Sequence, residues 1–280
     1  MGSSMLPNEF LDGLVAEHRS WLLSFDPQCL SNWNKILGSD EEAALAEAGV
    51  RRMLQSIGVR VEPNKNPSGE GPDFQCESSE CKFRVEVTHL SIAKVTEVTG
   101  LVERQTGCRA YGTLNNAIFN ACRGKAEQCG GSQYPTLLAI ATFHSDASAL
   151  CFGRPHVDML LTGETKITWN VNVRTGEQVG DPYQTTELRS ATFLRPDRTQ
   201  EIGFARSSIS ALLLCGLGAH FRDRRGIWRP RVVGILHPNP AREFCPTTLP
   251  SIEFAYIQIN RASRQLRVKW QGEEDGYSHQ

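Results

Sequence analysis

No apolar run in this 280-residue chain is long enough to cross a bilayer. The longest, such as Ala211 to Cys215, fall far short of the roughly 20 residues a membrane helix needs, so no membrane partner is expected. The opening Met1-Gly2-Ser3-Ser4 lacks the basic and apolar regions of a secretory signal, and a cytoplasmic location is the expectation. Charge of one sign is also missing. With 30 Lys and Arg against 31 Asp and Glu the net charge is -1, which argues against a passive nucleic-acid coat protein. It leaves room for an enzyme that engages nucleic acid through a local patch. A disulfide framework is absent too. The nine cysteines are an odd number, and Cys122 and Cys215 sit inside apolar runs, as reduced buried cysteines do. There is no glycine-rich phosphate loop followed by Lys-Ser/Thr, no nucleophile elbow and no H-E-x-x-H, which removes several common enzyme classes. No internal repeat or low-complexity linker divides the chain.

What is present fits one α/β domain with decorations. A 40% hydrophobic, 22% charged composition can bury a real core. Residues 8 to 37 read as helical, with Phe10, Leu11, Leu14 and His18 at helical spacing and a break at Asp26-Pro27. This region is expected to cap the core, and it shows no catalytic cluster. Ser39 and Glu42 fit a capping box that opens a helix running to about Ile57, with Gly58 as its stop. Its stripe is Ala43, Glu47, Val50, Leu54 and Ile57. Glu47 therefore lies either within the core-facing stripe or, if the stripe is rotated, at its solvated edge. A short strand is expected at 59 to 62, and Pro63 to Gly71 reads as a loop.

Phe83 to Leu90 alternates as a strand, with Phe83, Val85 and Val87 on one face and Arg84, Glu86 and Thr88 on the other. Cys76 to Cys81 flanks a hairpin turn. Ala110 to Cys129 reads as a long helix whose buried face carries Leu114, Ile118 and Cys122 and continues through Lys125 and Gln128. Thr136 to Phe143 is a continuous apolar run of the kind buried on both faces of a sheet. Strand, helix and buried strand in that order predict a crossover unit. Further on, a helix turn is expected at 157 to 161, a strand over 166 to 173, a short apolar helix over 208 to 217, a strand over 232 to 236 and a closing hairpin over 252 to 270. The polar tail after 270 is expected to be disordered.

One constellation carries chemistry. Gly71-Pro72-Asp73-Phe74 delivers an aspartate from a turn, and the strand after it delivers Glu86. Like charges that meet need a cation between them. A divalent ion held by Asp73, Glu86 and the backbone carbonyl of Val87 would suit phosphodiester hydrolysis, which needs charge neutralised and a water activated. Lys125 could orient the attacking water or balance charge, and Glu47 could hold a water or a second metal.

Glu47 on a first core helix, then Pro72-Asp73, then Glu86-Val87-Thr88 on the next strand and then a helix together resemble the PD-(D/E)XK nuclease superfamily. The resemblance spans roughly residues 40 to 143. It implies a restriction-endonuclease-like αβββαβ core with a mixed central sheet, preceded by N-terminal helices and followed by a C-terminal α+β elaboration. The corresponding divisions are 1–38, 39–145, 146–270 and a tail at 271–280. It also implies Mg or Mn as cofactor and nucleic acid, DNA before RNA, as substrate, with bacterial defence as a setting and a homo-oligomer or partner protein as company. The sequence departs at one point, since the motif lysine is Thr88 here. Some members resemble this chain in drawing that lysine from the next helix, which makes Lys125, with Gln128 one turn on, the migrated candidate. Without it, the alternative is an inactive nucleic-acid or protein-binding module that keeps the fold.

Three further signals stay open. Arg222, Arg224, Arg225, Arg229 and Arg231 around Trp228 are either a grip on a phosphate backbone with a stacking indole or a solvated loop. Cys76, Cys81, Cys122 and Cys129 could be imagined as a zinc site, but their spacing is not that of a finger. His89 should face away from Glu86 and Thr88, as a core or surface histidine, and His237 has no assigned role.

Overall fold

A computed structural model describes residues 8–64, 71–99, 111–150, 153–196, 201–218, 230–260 and 265–273. The arginine-rich segment with Arg222, Arg224, Arg225, Trp228 and Arg229, and the last seven residues of the tail, lie outside the described residues. Helices α1 (Asn8–Leu23), α2 (Pro27–Ser39) and α3 (Glu41–Ser56) come first. Strands β1 (Arg60–Pro63), β2 (Phe74–Glu77) and β3 (Lys82–His89) follow, then α4 (Ile92–Thr99), α5 (Tyr111–Lys125) and β4 (Thr136–Thr142). The second half holds α6 (Ser145–Leu150), α7 (Arg154–Thr162), the hairpin β5 (Glu164–Val171) and β6 (Gln178–Glu187), and the short pair β7 (Leu194–Pro196) and β8 (Ile202–Phe204). It ends with β9 (Ala211–Gly216), β10 (Arg231–Leu236), β11 (Glu253–Asn260) and β12 (Gln265–Trp270).

Eight strands form one mixed sheet in the order β1-β2-β3-β4-β9-β10-β11-β12. The pairs β3–β4, β4–β9 and β10–β11 are parallel and the rest antiparallel. The class is therefore α/β with a large mixed sheet. Alternation along the strands sorts the core into two layers. Leu137, Ala139 and Ala141 of β4 pack with α1, α2 and α3, whereas Leu138 and Ile140 pack with residues of α4, α5 and α7. Both faces of β4 and β9 are thus covered, and every residue of each is buried.

Two expected elements are corrected. The run at 208 to 217 is strand β9, not a helix. Five consecutive apolar residues carry no period that separates a buried strand from a buried helix. Ser39 and Glu42 do not form a capping box. Ser39 ends α2, with its hydroxyl donating to Lys35 and Ile36 carbonyls. Asp40 caps α3 by accepting from Ala43 N–H at 3.1 Å, while Glu42 accepts from Ile92 N–H at 2.8 Å and so caps α4 instead. Helix α3, held between the sheet and α1–α2, is buried around most of its circumference, and Ala43, Glu47 and Ile57 are half-buried at the margin.

The sheet is closely packed where β10 meets β11. A Cβ on Gly234 would come within 2.2 Å of the Phe254 ring, which is fully buried. Gly234→Ala should destabilise the protein by about 1–3 kcal/mol through overpacking, read as a lower urea midpoint with unchanged slope.

Candidate functional site

The β2–β3 ladder stops before β3 does. Phe74 pairs with Val85, and β2 begins at Phe74. On β3, Arg84 and Leu90 donate to β4-side carbonyls, of Pro135 and Ala141, so the intervening odd residues turn their N–H and C=O toward β2. Val87 is the first odd residue with no strand opposite. Asp73 takes the place of the missing strand, and its Oδ2 accepts from Val87 N–H at 2.7 Å. The Val87 carbonyl faces the same gap. Pro72 and Gly71 precede Asp73, and Gly71 has φ 93, a left-handed conformation open to glycine.

Glu86 points to the opposite face from Val85 and Val87 and is buried. There α5 brings Lys125 to it, with Nζ 2.7 Å from Oε1. Its other oxygen, Oε2, is buried with no hydrogen-bond partner. Glu47 approaches from α3, close enough to interact with Asp73, Glu86 and Lys125. So the structure brings together Glu47, Asp73, Glu86, Val87 and Lys125. It does not bring Gln128: α5 ends at Lys125, and Gln128 is exposed in the turn that follows. The expectation of a continued helix failed because Gly124, Gly130 and Gly131 favour an early end.

The electrostatics of the group are mutually unfavourable. Burial raises Glu47 well above the ordinary carboxyl range, and the charges of Asp73 and Glu86 add to the rise. Burial and then Glu86 push Asp73 up to about 7, against the opposing pull of Val87 N–H and Lys125. Burial raises Glu86 as well, with Lys125 opposing. Burial alone would lower Lys125, but its hydrogen bond to Glu86 and the charges of Glu86 and Asp73 raise it. Ionised together, three acids and one lysine would carry an excess of negative charge in a partly dry gap, which a cation would offset. The donors are oxygens, which suits a hard divalent ion such as Mg. Among the described residues no three His, Cys, Asp or Glu side chains gather to hold a metal by themselves. A cation here would take Asp73, the unpartnered Oε2 of Glu86, the Val87 carbonyl and waters.

The described cysteines are all free, and Cys76, Cys81, Cys122 and Cys129 form no metal group. Cys76 and Cys81 do flank the β2–β3 turn, where Ser78 N–H donates to Cys81 O at 3.0 Å. His89 lies 3.5 Å from Asp40, away from the acids. His237 is structural. Its Nδ1 accepts from Asn239 N–H, and Nε2 then donates to Ala205 O at 2.8 Å.

The N-terminal helices, expected only to cap the core, also border the candidate site. A cavity of about 220 Å³ lies between α2 and the carboxylates, and its lining includes His18, Asn32, Trp33, Glu47 and Asp73. His18 is buried, its Nδ1 accepting from Arg51 Nε at 3.1 Å, while Arg51 also donates to Glu17 at 2.7 Å. Burial and the Arg51 charge lower His18 to about 3, so the ring is neutral. The helical spacing of Leu11, Leu14 and His18 signals only a buried face; what that face borders depends on tertiary placement. Among the described residues no helix is long and apolar enough to cross a membrane. Comparison with family models, curated proteins and solved structures gives no match for this chain.

The raised acids make stability depend on pH. Asp73 keeps its proton to about 7 in the fold but loses it near 3.8 when unfolded. Between those values the folded state binds more protons, so stability falls as pH rises. In metal-free buffer, Asp73→Asn, which retains an oxygen for Val87 N–H, should be more stable than wild type at pH 8, with the difference vanishing near pH 4. Adding Mg at pH 8 should raise the melting temperature of wild type and leave the variant unmoved; equal shifts in both would exclude Asp73 as a ligand.

Proposed function

We propose that this chain is a metal-dependent nuclease that hydrolyses phosphodiester bonds, with DNA as the first substrate to test. The carrying observation is the convergence of Asp73, Glu86 and Lys125 at the end of the β2–β3 ladder, with Glu86 Oε2 left without a partner. The order α3, β1, β2, β3, α4, α5, β4 supports a restriction-endonuclease-like αβββαβ core with one short helix, α4, added before α5, as the resemblance to PD-(D/E)XK nucleases implies. Residue 88 is a half-buried threonine, and Lys125 reaches Glu86 from α5 instead, which supports the migrated lysine. A defence role rests on analogy with such nucleases.

Asp73, Glu86 and the Val87 carbonyl would hold Mg or Mn. Bound there, the ion would supply charge neutralisation at the scissile phosphate and acidify a water. The chain's own groups do the rest. The Lys125 ammonium opposes the rise that burial imposes on Glu86 and offers N–H donors to charge growing on the phosphate. Glu47, from α3 on the opposite face of the sheet to α5, would accept a hydrogen bond from the attacking water. Asp73 is held in place by Val87 N–H, which limits the orientations of its carboxylate.

Cleavage of plasmid and of single strands with Mg or Mn tests this. Asp73→Ala should abolish turnover, and Lys125→Ala should lower it by about 10²–10³-fold, the usual effect of removing one charge-stabilising donor. Wild-type protein that binds nucleic acid yet cuts none of these substrates would sink the nuclease and leave a binding module with the same fold.

A further inference from the structure

We propose that the cavity between α2 and the carboxylates seats one unpaired adenine or cytosine, so that the substrate enters as a single strand or with one nucleotide extruded. The inference rests on the nuclease reading for the phosphate beside the cavity, and it adds what lies next to that phosphate.

Size comes first. At about 220 Å³ the cavity is smaller than the ~300–1,000 Å³ of pockets for drug-sized ligands, so it suits one ring system. Leu22, Ile36 and Phe74 supply apolar wall, while Glu47 and Asp73 close the end nearest the site. A base inside a duplex is stacked and cannot enter such a recess, whereas an extruded or unpaired one can. The sugar-phosphate of that nucleotide would then run past the gap where Asp73 and Glu86 meet.

The rim has the right hydrogen-bonding groups. Gln28 and Asn32 lie one turn apart on exposed α2, and Gln28 Nε2 donates to Asn32 Oδ1 at 2.9 Å. That bond uses one end of each amide. It leaves Gln28 Oε1 as an acceptor beside Asn32 Nδ2 as a donor. An exocyclic amine next to a ring nitrogen acceptor, as on the pairing edge of adenine and cytosine, matches this pair. Thymine and uracil present a carbonyl where the amine should be, which faces Gln28 Oε1 with a second acceptor. Asp26 adds to the acceptor side. One of its oxygens caps α2 through Gln28 N–H at 2.8 Å, and the other is left for an amine. Deeper in the wall, His18 accepts from Arg51 at Nδ1, so its ring proton sits on Nε2 as a further donor.

The test is a binding measurement that does not need cleavage. Fluorescein-labelled d(A)6, d(C)6 and d(T)6 are titrated by anisotropy against Glu86→Gln protein, with and without Gln28→Leu/Asn32→Leu. We expect d(A)6 and d(C)6 to bind at least tenfold tighter than d(T)6, and the double substitution to remove the difference. Both positions are exposed, so little loss of stability is expected. Should the double variant fold poorly, Asn32→Asp, which turns the donor into an acceptor, must weaken d(A)6 and d(C)6 selectively. Equal affinity for the three strands, or a preference untouched by either variant, overturns the base pocket. Wild-type cleavage without base preference would remove the pocket and keep the nuclease. Rim-dependent base preference in a wild type that never cleaves would do the reverse.

Discussion

The hydrogen bond from Val87 N–H to Asp73 is the constraint on which the rest of the site depends. A strand that outruns its neighbour leaves backbone groups facing nothing, and buried backbone groups must be paired. Here a side chain from the approaching loop closes the first open position. That repair fixes a carboxylate at the end of the ladder, within reach of the face where Glu86 points. Sheet geometry, more than any property of the loop, sets where Asp73 stands.

The repair brings an electrostatic cost. Glu47 meets the charge of Asp73 and of Glu86, Asp73 meets that of Glu86, and burial disfavours the ionised form of all three, so one lysine does not balance the acids. A fold under selection for stability alone would replace such a group with well-packed apolar residues. In the proposed function a cation from outside the chain would complete the charge, and Glu86 Oε2, buried with no hydrogen-bond partner, is the oxygen left to meet it. Lys125 settles which of Glu86's oxygens is engaged and which is left open.

Much of this was legible in the sequence for simple reasons. Period-two alternation placed Glu86 opposite Val85 and Val87, and the helical repeat of Leu114, Ile118 and Cys122 put Lys125 on the same side of α5 as the core. What escaped depended on information that is not local. Gln128 failed because the end of α5 falls one turn earlier than apolar spacing suggested. Residues 211–216 carried no period at all, since a strand covered on both faces alternates nothing. Glu47 could be assigned to neither core nor solvent, and it lies at the margin between them because α3 is clasped from two sides. Nothing local in the sequence distinguishes the amides of α2, Gln28 and Asn32, which the fold sets beside a cavity.

Strand β9 has a consequence for how the molecule is made. It lies between β4 and β10, so the strand next to the site-bearing β3 gains its second neighbour from residues about seventy positions further along the chain. Parallel pairing over that separation forms slowly, because the intervening chain must be closed into a loop first. While the polypeptide is emerging, β4 presents a bare edge built of Leu137, Leu138, Ala139 and Ile140, the kind of surface that seeks any partner. The half that carries the acids and the lysine is therefore no independent unit in time. It reaches its final packing only after β9, from the last third of the chain, has been made and folded against it.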